Sequence, residues 1–353
     1  MNHTSFDLAR SVERDAARID RLMEDVARSM QGGGGPLSDH QRALMWGVLA
    51  DLLRTALGRI VGAIRDAAPH GSTDEQAVFA AIADGVSEIV AAQPTERFAD
   101  MGVRAGLLHD RRLVRLVFAR VQAHRVSEIM RPPGRDRLEP DPEQLLAGED
   151  LDRYRDQELR RLDAYGDPRL PLDELPHEVL DAIHWQMAAA LRKLLLEPPV
   201  ADAVAVDDAL EAAVAAVLRQ PTPLPEAERL DRRAAIPPTG LVQALANGDV
   251  FLFLMLLGQI SGLTLGQLQA IAFGRGEVEF ATLCRALDLS RNHFADLHLL
   301  VCQHSSGKVR DPGALAAAMH TYDAIDPDDA RAMLRLWRRH PGYAGAIRRM
   351  TDG

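Results

Sequence analysis

The sequence contains little cysteine and lysine, and it has no long uninterrupted apolar run. Cys284 and Cys302 are the only cysteines, which excludes a disulfide framework and indicates a reducing compartment. Lys193 and Lys308 are the only lysines, and neither lies in a phosphate-loop or Schiff-base context, so lysine-dependent chemistry is not expected. The longest apolar stretch, Val250–Leu263, spans about 14 residues, fewer than the roughly 20 that a membrane-spanning helix needs.

Excess positive charge is also missing. The chain of 353 residues carries 41 basic and 51 acidic side chains, a formal net charge of -10, and its pI is near 5.7. A nucleic-acid binder needs a basic face for phosphates, so nucleic acid is not an expected partner. Met1–Arg10 has no apolar segment behind a basic one, so no signal peptide is expected. We therefore expect a cytoplasmic protein without a membrane partner.

Apolar residues recur at helical spacing along most of the chain, and the alternation typical of strands is absent. Ser38 and Gln41 have the spacing of a capping box before the long apolar run Met45–Ile64. Successive N-terminal helices recur about every 20 residues, which is typical of stacked helix pairs. The sequence predicts an all-α fold with HEAT-like stacked helix pairs in the N-terminal half and a compact C-terminal helical domain.

The helices predicted from this periodicity cover most of the chain. They are expected over Phe6–Met30, Ser38–Ile64, Thr73–Ala92, Glu96–Leu108, Arg111–Met130, Glu143–Ala164, His177–Glu197, Asp207–Arg219, Glu226–Ala235, Leu241–Asn247, Val250–Ser261, Leu265–Phe273, Glu277–Leu287, Arg291–His304, Ala314–Ile325, Pro327–Arg339 and Tyr343–Met350. Prolines and charges concentrate between Arg131 and Pro176. We therefore expect an N-terminal domain over 1–130, a charged Pro-rich connection over 131–176, and a C-terminal domain over 177–353.

A metal site is the first chemistry to consider. His298 and Cys302 are four residues apart and share a helix face, with Cys284 one helix earlier. Two-plus-two ligand spacing is lacking, and both cysteines sit in apolar runs typical of a core. We expect no metal and no cofactor, with His298 and Cys302 as the weak candidates. No Gly-x-Ser-x-Gly elbow is present, and no catalytic residue is assigned.

Phosphotransfer on a helix-borne histidine is a second possibility. Such a protein needs an exposed histidine on a long helix with a cation nearby to hold the phosphoryl oxygens. His40 precedes Gln41-Arg42, and His124 precedes Arg125, but neither is followed by the His-x-x-Lys-Gly pattern. His40 and His124 are the candidate residues for this alternative function.

Two surface features indicate protein partners. Arg111, Arg112, Arg115 and Arg120 form a local basic patch, read either as a solvated helix face or as a site for an acidic partner. The apolar face over Met45–Ile64 is wide enough to extend into a homodimer seam. We therefore expect the protein to bind partner proteins, and a homodimer is a further possibility.

Several short motifs in colinear order resemble a family of uncharacterised alphaproteobacterial proteins, known as domain of unknown function 2336. The motifs are Asp39–Met45, Leu108-His109-Asp110, His184–Arg192, Leu241–Leu245, Gly248-Asp249-Val250, Phe253, Cys284–Leu287, Phe294-Ala295, Tyr322-Asp323 and Trp337–Arg339. The resemblance covers nearly the whole chain, and Arg131–Pro176 departs from it in the manner of an insertion. It implies an all-helical, bacterial, cytoplasmic protein with HEAT-like pairs in the N-terminal half, and it supplies no activity or catalytic residues.

Within those motifs, Trp185 and Trp337 are expected to anchor helices, and Asp249 is expected to cap the helix after Gly248. Because each polar cluster has a sufficient structural explanation, the sequence favours a non-enzymatic protein–protein interaction module, a scaffold or adaptor in bacterial signalling. Histidine phosphotransfer is the alternative.

Overall fold

The computed structural model describes residues 7–67, 73–92, 95–131, 149–196, 202–219, 237–302 and 312–339. Within these ranges the chain is all-α, and bridge pairing is limited to isolated residues such as Leu162 and Pro168. The helices are α1 Leu8–Met30, α2 Asp39–Ala67, α3 Thr73–Ala92, α4 Thr95–Arg104, α5 Arg111–Met130, α6 Glu149–Leu159, α7 His177–Leu195, α8 Ala203–Arg219, α9 Pro238–Ala246, α10 Val250–Ser261, α11 Leu265–Phe273, α12 Glu277–Ala286, α13 Arg291–Cys302, α14 Pro312–Ala324 and α15 Pro327–Trp337. The predicted all-α class is confirmed.

Local start signals account for several helix boundaries. The predicted capping box is present: Gln41 N–H donates to Ser38 Oγ at 3.2 Å, and Ser38 N–H donates to Gln41 Oε1 at 3.0 Å. Thr264 and Gln267 form a second capping box at α11. The predicted helices Glu226–Ala235 and Tyr343–Met350 lie outside the described residues.

The chain forms two compact units, and each is assembled from separate stretches of sequence. Unit 1 comprises Met1–Met23, Phe118–Leu159 and Pro225–Gly353, and unit 2 comprises Glu24–Val117 and Arg160–Leu224. The sequence instead predicted a division across 131–176. The difference arises because proline and charge density mark breaks between helices, whereas a unit is defined by which apolar faces pack together.

Helix α2 is the centre of unit 2. It packs against α3, α4, α7 and α8, and its apolar side chains from Met45 to Ile64 are almost all buried in these contacts. That face is therefore covered within the unit and does not supply the homodimer seam considered above. HEAT-like stacking is not confirmed by this pattern, because α2 contacts helices distant in the chain as well as its neighbours.

A buried ion pair stabilises the segment of unit 2 that precedes α7. Arg161 Nη2 lies 2.6 Å from Glu174 Oε1, and the two side chains are 6% and 2% exposed. Burial lowers the pKa of Arg161, and the neighbouring Glu174 carboxylate counteracts this. The described part of the predicted connection is thus packed structure, with Arg160–Asp173 at 3.1 Å as an exposed second pair.

The core of unit 1 is built around α10 and the helices that follow it. Phe294 stacks on Tyr322 with ring centroids 4.6 Å apart, and Tyr154 of α6 stacks on Phe251 at 5.5 Å. Trp337 packs against this core as expected, whereas Trp185 in unit 2 is 45% exposed and does not anchor its helix in the interior. No single helix within the described ranges is long and apolar enough to cross a membrane; α10 and α11 reach that length only as a pair bent by 113°.

A glycine turn joins α9 to α10 and closes against the end of α5. Gly248 has a φ of 78°, and its carbonyl oxygen accepts a hydrogen bond of 2.6 Å from Ser127 Oγ. Asp249, 2% exposed, forms an ion pair with Arg131, which also lies 3.1 Å from Glu158. Asp249 occupies the N-cap position of α10 as expected, but its side chain makes no cap hydrogen bond to the helix and binds Arg131 instead.

Candidate functional site

An open groove with a volume of about 1470 Å³ lies on unit 2. Its walls come from the end of α1, the first half of α2, the end of α4 and the loop from Asp163 to Arg169. Its side chains are Met30, Gln31, His40, Ala43, Leu44, Trp46, Ala50, Asp51, Arg54, Asp100, Val103, Arg104, Asp163, Ala164, Tyr165, Asp167, Pro168 and Arg169. All of them belong to unit 2.

The loop on one side of the groove is a tightly hydrogen-bonded turn. Asp163 Oδ1 accepts the backbone N–H groups of Tyr165 at 2.8 Å and Asp167 at 2.9 Å. Gly166, at a φ of 87°, provides the left-handed conformation that the turn requires, and its N–H donates to the Asp163 carbonyl. The turn therefore holds Tyr165 at its tip, where the residue is 93% exposed.

The opposite wall places an aromatic ring and paired charges along α2. Trp46 is half-buried, and its Nε1–H donates to the Met30 carbonyl at 3.1 Å. Arg169 binds Asp51 through two hydrogen bonds of 2.8 Å, and these bonds raise the pKa of the guanidinium. This ion pair links the Tyr165 loop to α2 and so holds the loop against the groove.

The predicted phosphotransfer histidines lie in different surroundings. His40 is exposed on the first turn of α2 and lines the groove. The His124 side chain is 11% exposed, and its Nε2 lies 3.5 Å from Glu128 Oε1. A carboxylate at that distance would repel a phosphoryl group, so the geometry favours His40 over His124 for that chemistry.

The four arginines predicted as a partner site do not form one surface. Arg111 is exposed and ion-paired with Glu24, and Arg112 lies 3.5 Å from Asp110. Arg115 is half-buried, and Arg120 is only 6% exposed. Arg120 is therefore removed from the expected basic patch, because it lies on the buried side of α5, and a patch of Arg111, Arg112 and Arg115 stays a prediction.

The weak metal candidates lie together in unit 1. Cys302 Sγ is 3.6 Å from His298 Nε2, and His298 is 7% exposed. Burial lowers the pKa of His298 and raises that of the Cys302 thiol to about 11. The Cys284 thiol is fully buried, and burial also raises its pKa. Within the described ranges, no group of three or more His, Cys, Asp or Glu side chains has the arrangement of a metal site.

Two buried histidines make stability depend on pH. His184 is fully buried, its Nδ1 lies 2.8 Å from the Leu180 carbonyl, and burial lowers its pKa, as for His298. The unfolded chain binds a proton near pH 6.5 and the folded chain does not, so unfolding becomes easier as pH falls below about 6.5. We expect a loss of up to about 1.4 kcal/mol per pH unit for each histidine that stays neutral.

Urea unfolding at pH 7.5 and at pH 5.5 measures this dependence. His184→Leu should lose less stability over that interval than the wild type, because the neutral buried imidazole is absent. Equal pH dependence in His184→Leu and the wild type would contradict the role assigned to this side chain.

The signals for the groove were partly present in the sequence. Asp163-Ala164-Tyr165-Gly166-Asp167-Pro168 has the composition of an Asx turn, and an aromatic residue within a turn is a sign of a recognition loop. Nothing local indicated that this turn pairs with Asp51, because the two are 118 residues apart.

Comparison with known proteins gives one match. The family model described as an uncharacterised protein conserved in bacteria (DUF2336) matches residues 157–335. No curated protein and no solved structure matches the chain. The match covers half of the chain rather than nearly all of it, so the motifs Asp39–Met45, Leu108–Asp110 and Trp337–Arg339 lie outside it. It also includes residues 157–176, which the sequence placed in a departure from the family pattern. The chain belongs to the bacterial domain of unknown function 2336 family.

Proposed function

We propose that the protein is a non-enzymatic adaptor, and that the groove of unit 2 binds an extended segment of a partner protein. The observation that carries this proposal is Tyr165, a 93% exposed aromatic side chain held at the groove by a turn with its backbone hydrogen bonds satisfied. Tyrosine is enriched among the side chains that dominate binding at protein interfaces. A rigid turn also lowers the ordering entropy that binding has to overcome.

The size of the groove favours a polypeptide as its occupant. Small-molecule sites usually enclose about 300–1,000 Å³ and bury most of their ligand. The groove is larger, at about 1470 Å³, and it is open along its length. A peptide segment fits these dimensions better than a metabolite does.

The charges on the walls indicate what the segment carries. Arg169 is paired with Asp51, and Arg104 lies 3.5 Å from Asp100, so both basic and acidic groups line the groove. Such a rim selects no single sign of charge. We therefore expect a segment with an apolar anchor that packs between Trp46 and Tyr165, with charges of both signs on either side.

The setting of this function is part of the proposal. We propose that the adaptor acts in the cytoplasm, in bacterial signalling, with proteins rather than nucleic acid or membrane as partners. Two cysteines in 353 residues and a net charge of -10 support this setting. Self-association into a homodimer is compatible with it, but the apolar face of α2 is not available as the seam.

Replacing Tyr165 should weaken partner binding without unfolding the protein. We expect a photoreactive amino acid at position 165, introduced in the native host, to cross-link one discrete partner. Tyr165→Ala should then weaken binding of that purified partner by tenfold or more, about 1.4 kcal/mol, as for a central interface aromatic. The measurement is isothermal titration calorimetry on the full chain.

Val204 is the matched control, because it is 65% exposed in the same unit and does not line the groove. A photoreactive residue at 204 should give no such product, and Val204→Ala should bind like the wild type. The same cross-linked partner from both positions, or unchanged affinity of Tyr165→Ala, would contradict the groove as the binding site.

A second function is phosphotransfer on His40. It is favoured by the exposure of this histidine on the groove wall, which Arg54 and Arg104 also line. An acid-labile phosphate that disappears in His40→Ala and persists in His124→Ala would favour this function over the adaptor.

A further inference from the structure

A small cavity lies within unit 1, apart from the groove. Its volume is about 80 Å³, where a water molecule in the liquid occupies ~30 Å³, so it has room for a few waters or one molecule of similar bulk. The polar side chains that line it are Gln122, Arg275, Glu277, His298 and Cys302. Apolar side chains, among them Phe280 and Val301, form the rest of the wall.

The cavity contains a buried amide that lacks partners. Gln122 of α5 is 3% exposed, and both its Nε2 and its Oε1 are buried without a hydrogen-bond partner among the described residues. A buried amide with both ends unpaired is unfavourable, so buried polar groups almost always find a partner in protein, water or ligand. The glutamine amide therefore points to a molecule that occupies the cavity.

The charges on the wall favour a neutral occupant. Arg275 and Glu277 are one cation and one anion; burial lowers the pKa of the Arg275 guanidinium, and the Glu277 carboxylate partly counteracts this. Burial lowers the pKa of His298, which keeps its imidazole neutral at pH 7, and the Cys302 thiol stays protonated. A charged ligand would lose its hydration with no opposite net charge on the wall to compensate.

The hydrogen-bonding pattern of the cavity narrows the ligand further. The Gln122 amide offers one donor and one acceptor side by side, and their complement is a group with an adjacent acceptor and donor. A carboxylate has only acceptor oxygens, and a ketone has one acceptor oxygen and no donor. A primary carboxamide has both an acceptor oxygen and N–H donors. Arg275 and Glu277 add a second donor and a second acceptor on the same wall.

We propose that this cavity binds a small neutral primary carboxamide or urea, paired with the side-chain amide of Gln122. The ligand carbonyl accepts from Gln122 Nε2, and a ligand N–H donates to Gln122 Oε1. Phe280 and Val301 accommodate a methyl or ethyl substituent. The volume of about 80 Å³ suits ligands of a few non-hydrogen atoms.

The test is a titration of the full chain with acetamide, followed by NMR of side-chain amide groups. The Gln122 NH₂ signals are identified by their loss in Gln122→Leu. We expect them to shift saturably with acetamide and to remain unchanged with acetate or acetone at the same concentrations. Acetone matches acetamide in shape but lacks the N–H donor.

Cys302 provides a second readout that does not depend on Gln122 signals. Acetamide should slow its alkylation by N-ethylmaleimide about threefold at twice the dissociation constant, because the free fraction falls as 1/(1 + [L]/Kd). Gln122→Leu should abolish this protection. Gln269→Leu should retain it, since Gln269 is 1% exposed with an unpaired Nε2 but lies outside the cavity wall.

Three outcomes would overturn the proposal. If the chemical shifts of the Gln122 NH₂ group do not change at saturating acetamide, the cavity binds water and not the amide. Equal shifts with acetone would mean that the cavity is filled by an adventitious additive only, without recognition of the amide. Protection of Cys302 that survives in Gln122→Leu would place the ligand elsewhere.

Discussion

Replacing Gly248 by alanine is expected to lower the free energy of unfolding of unit 1 by about 3–4 kcal/mol. The φ of 78° at this position disfavours any residue with a Cβ. An added Cβ would also lie 2.6 Å from Arg131 Cγ and 2.9 Å from the Ser127 carbonyl oxygen, which belongs to the α5 backbone and cannot move aside cheaply. Relief of the clash would disrupt the Arg131–Asp249 ion pair.

Gly262 is the matched control within the same unit. It has a φ of 68°, but an added Cβ would approach only the flexible end of Arg338, at 3.3 Å. Gly262→Ala should therefore cost only about 1–2 kcal/mol, the strain of the left-handed conformation. Urea unfolding can be followed through Trp337 after Trp46 and Trp185 are replaced by phenylalanine, because Trp337 is then the only tryptophan and lies in unit 1. Equal losses in the two variants would contradict the clash at Gly248.

Breaking the Arg161–Glu174 pair should have a similarly large effect on unit 2. Arg161→Met leaves the Glu174 carboxylate buried without its cation, which typically costs about 3–5 kcal/mol. Both side chains are nearly inaccessible, at 6% and 2%, so water cannot replace the lost partner. Urea unfolding measured through the unit 2 tryptophans, in a Trp337→Phe background, gives the change.

The double variant distinguishes the loss of the Arg161–Glu174 interaction from a general disruption of core packing. Arg161→Met with Glu174→Leu removes both charges and should recover most of the stability lost in either single variant. The neighbouring pair Arg160–Asp173 is the control; its arginine is 60% exposed, and Arg160→Met should cost about 0–1 kcal/mol. A double variant as unstable as the sum of the two singles would show that the residues contribute independently.

The helices were predictable because each depends on nearby sequence. The bounds expected for Thr73–Ala92, Arg111–Met130, Val250–Ser261 and Leu265–Phe273 agree with the structure. The box formed by Ser38 and Gln41 was also foreseen, since its two residues are three positions apart. Periodicity and capping act within a few turns, and a single sequence displays both.

The long-range pairings were not predictable from the same patterns. Asp249 was expected at a helix cap, and its actual partner, Arg131, is 118 residues away. Arg120 was grouped with exposed arginines, although it lies on the buried side of α5. Periodicity separates apolar from polar positions, but it does not say which helix covers which face.

The candidate sites likewise differ in whether local sequence or long-range packing creates them. The turn around Tyr165 has a composition that local reasoning could have found, and its exposure is a property of the turn itself. The cavity at Gln122 could not have been found, because it depends on the packing of α5 against α11, α12 and α13. A buried glutamine has the same sequence context as an exposed one.

The interleaved composition of the two units has a consequence for synthesis on the ribosome. Unit 2 has all of its residues once position 224 has emerged, whereas unit 1 requires the nascent chain beyond it. Leu8 and Val12 pack into a core whose other members mostly lie after position 240. On the ribosome these two side chains therefore lack most of their core until residues beyond position 240 have been synthesised, and no single cut of the gene can yield either unit intact.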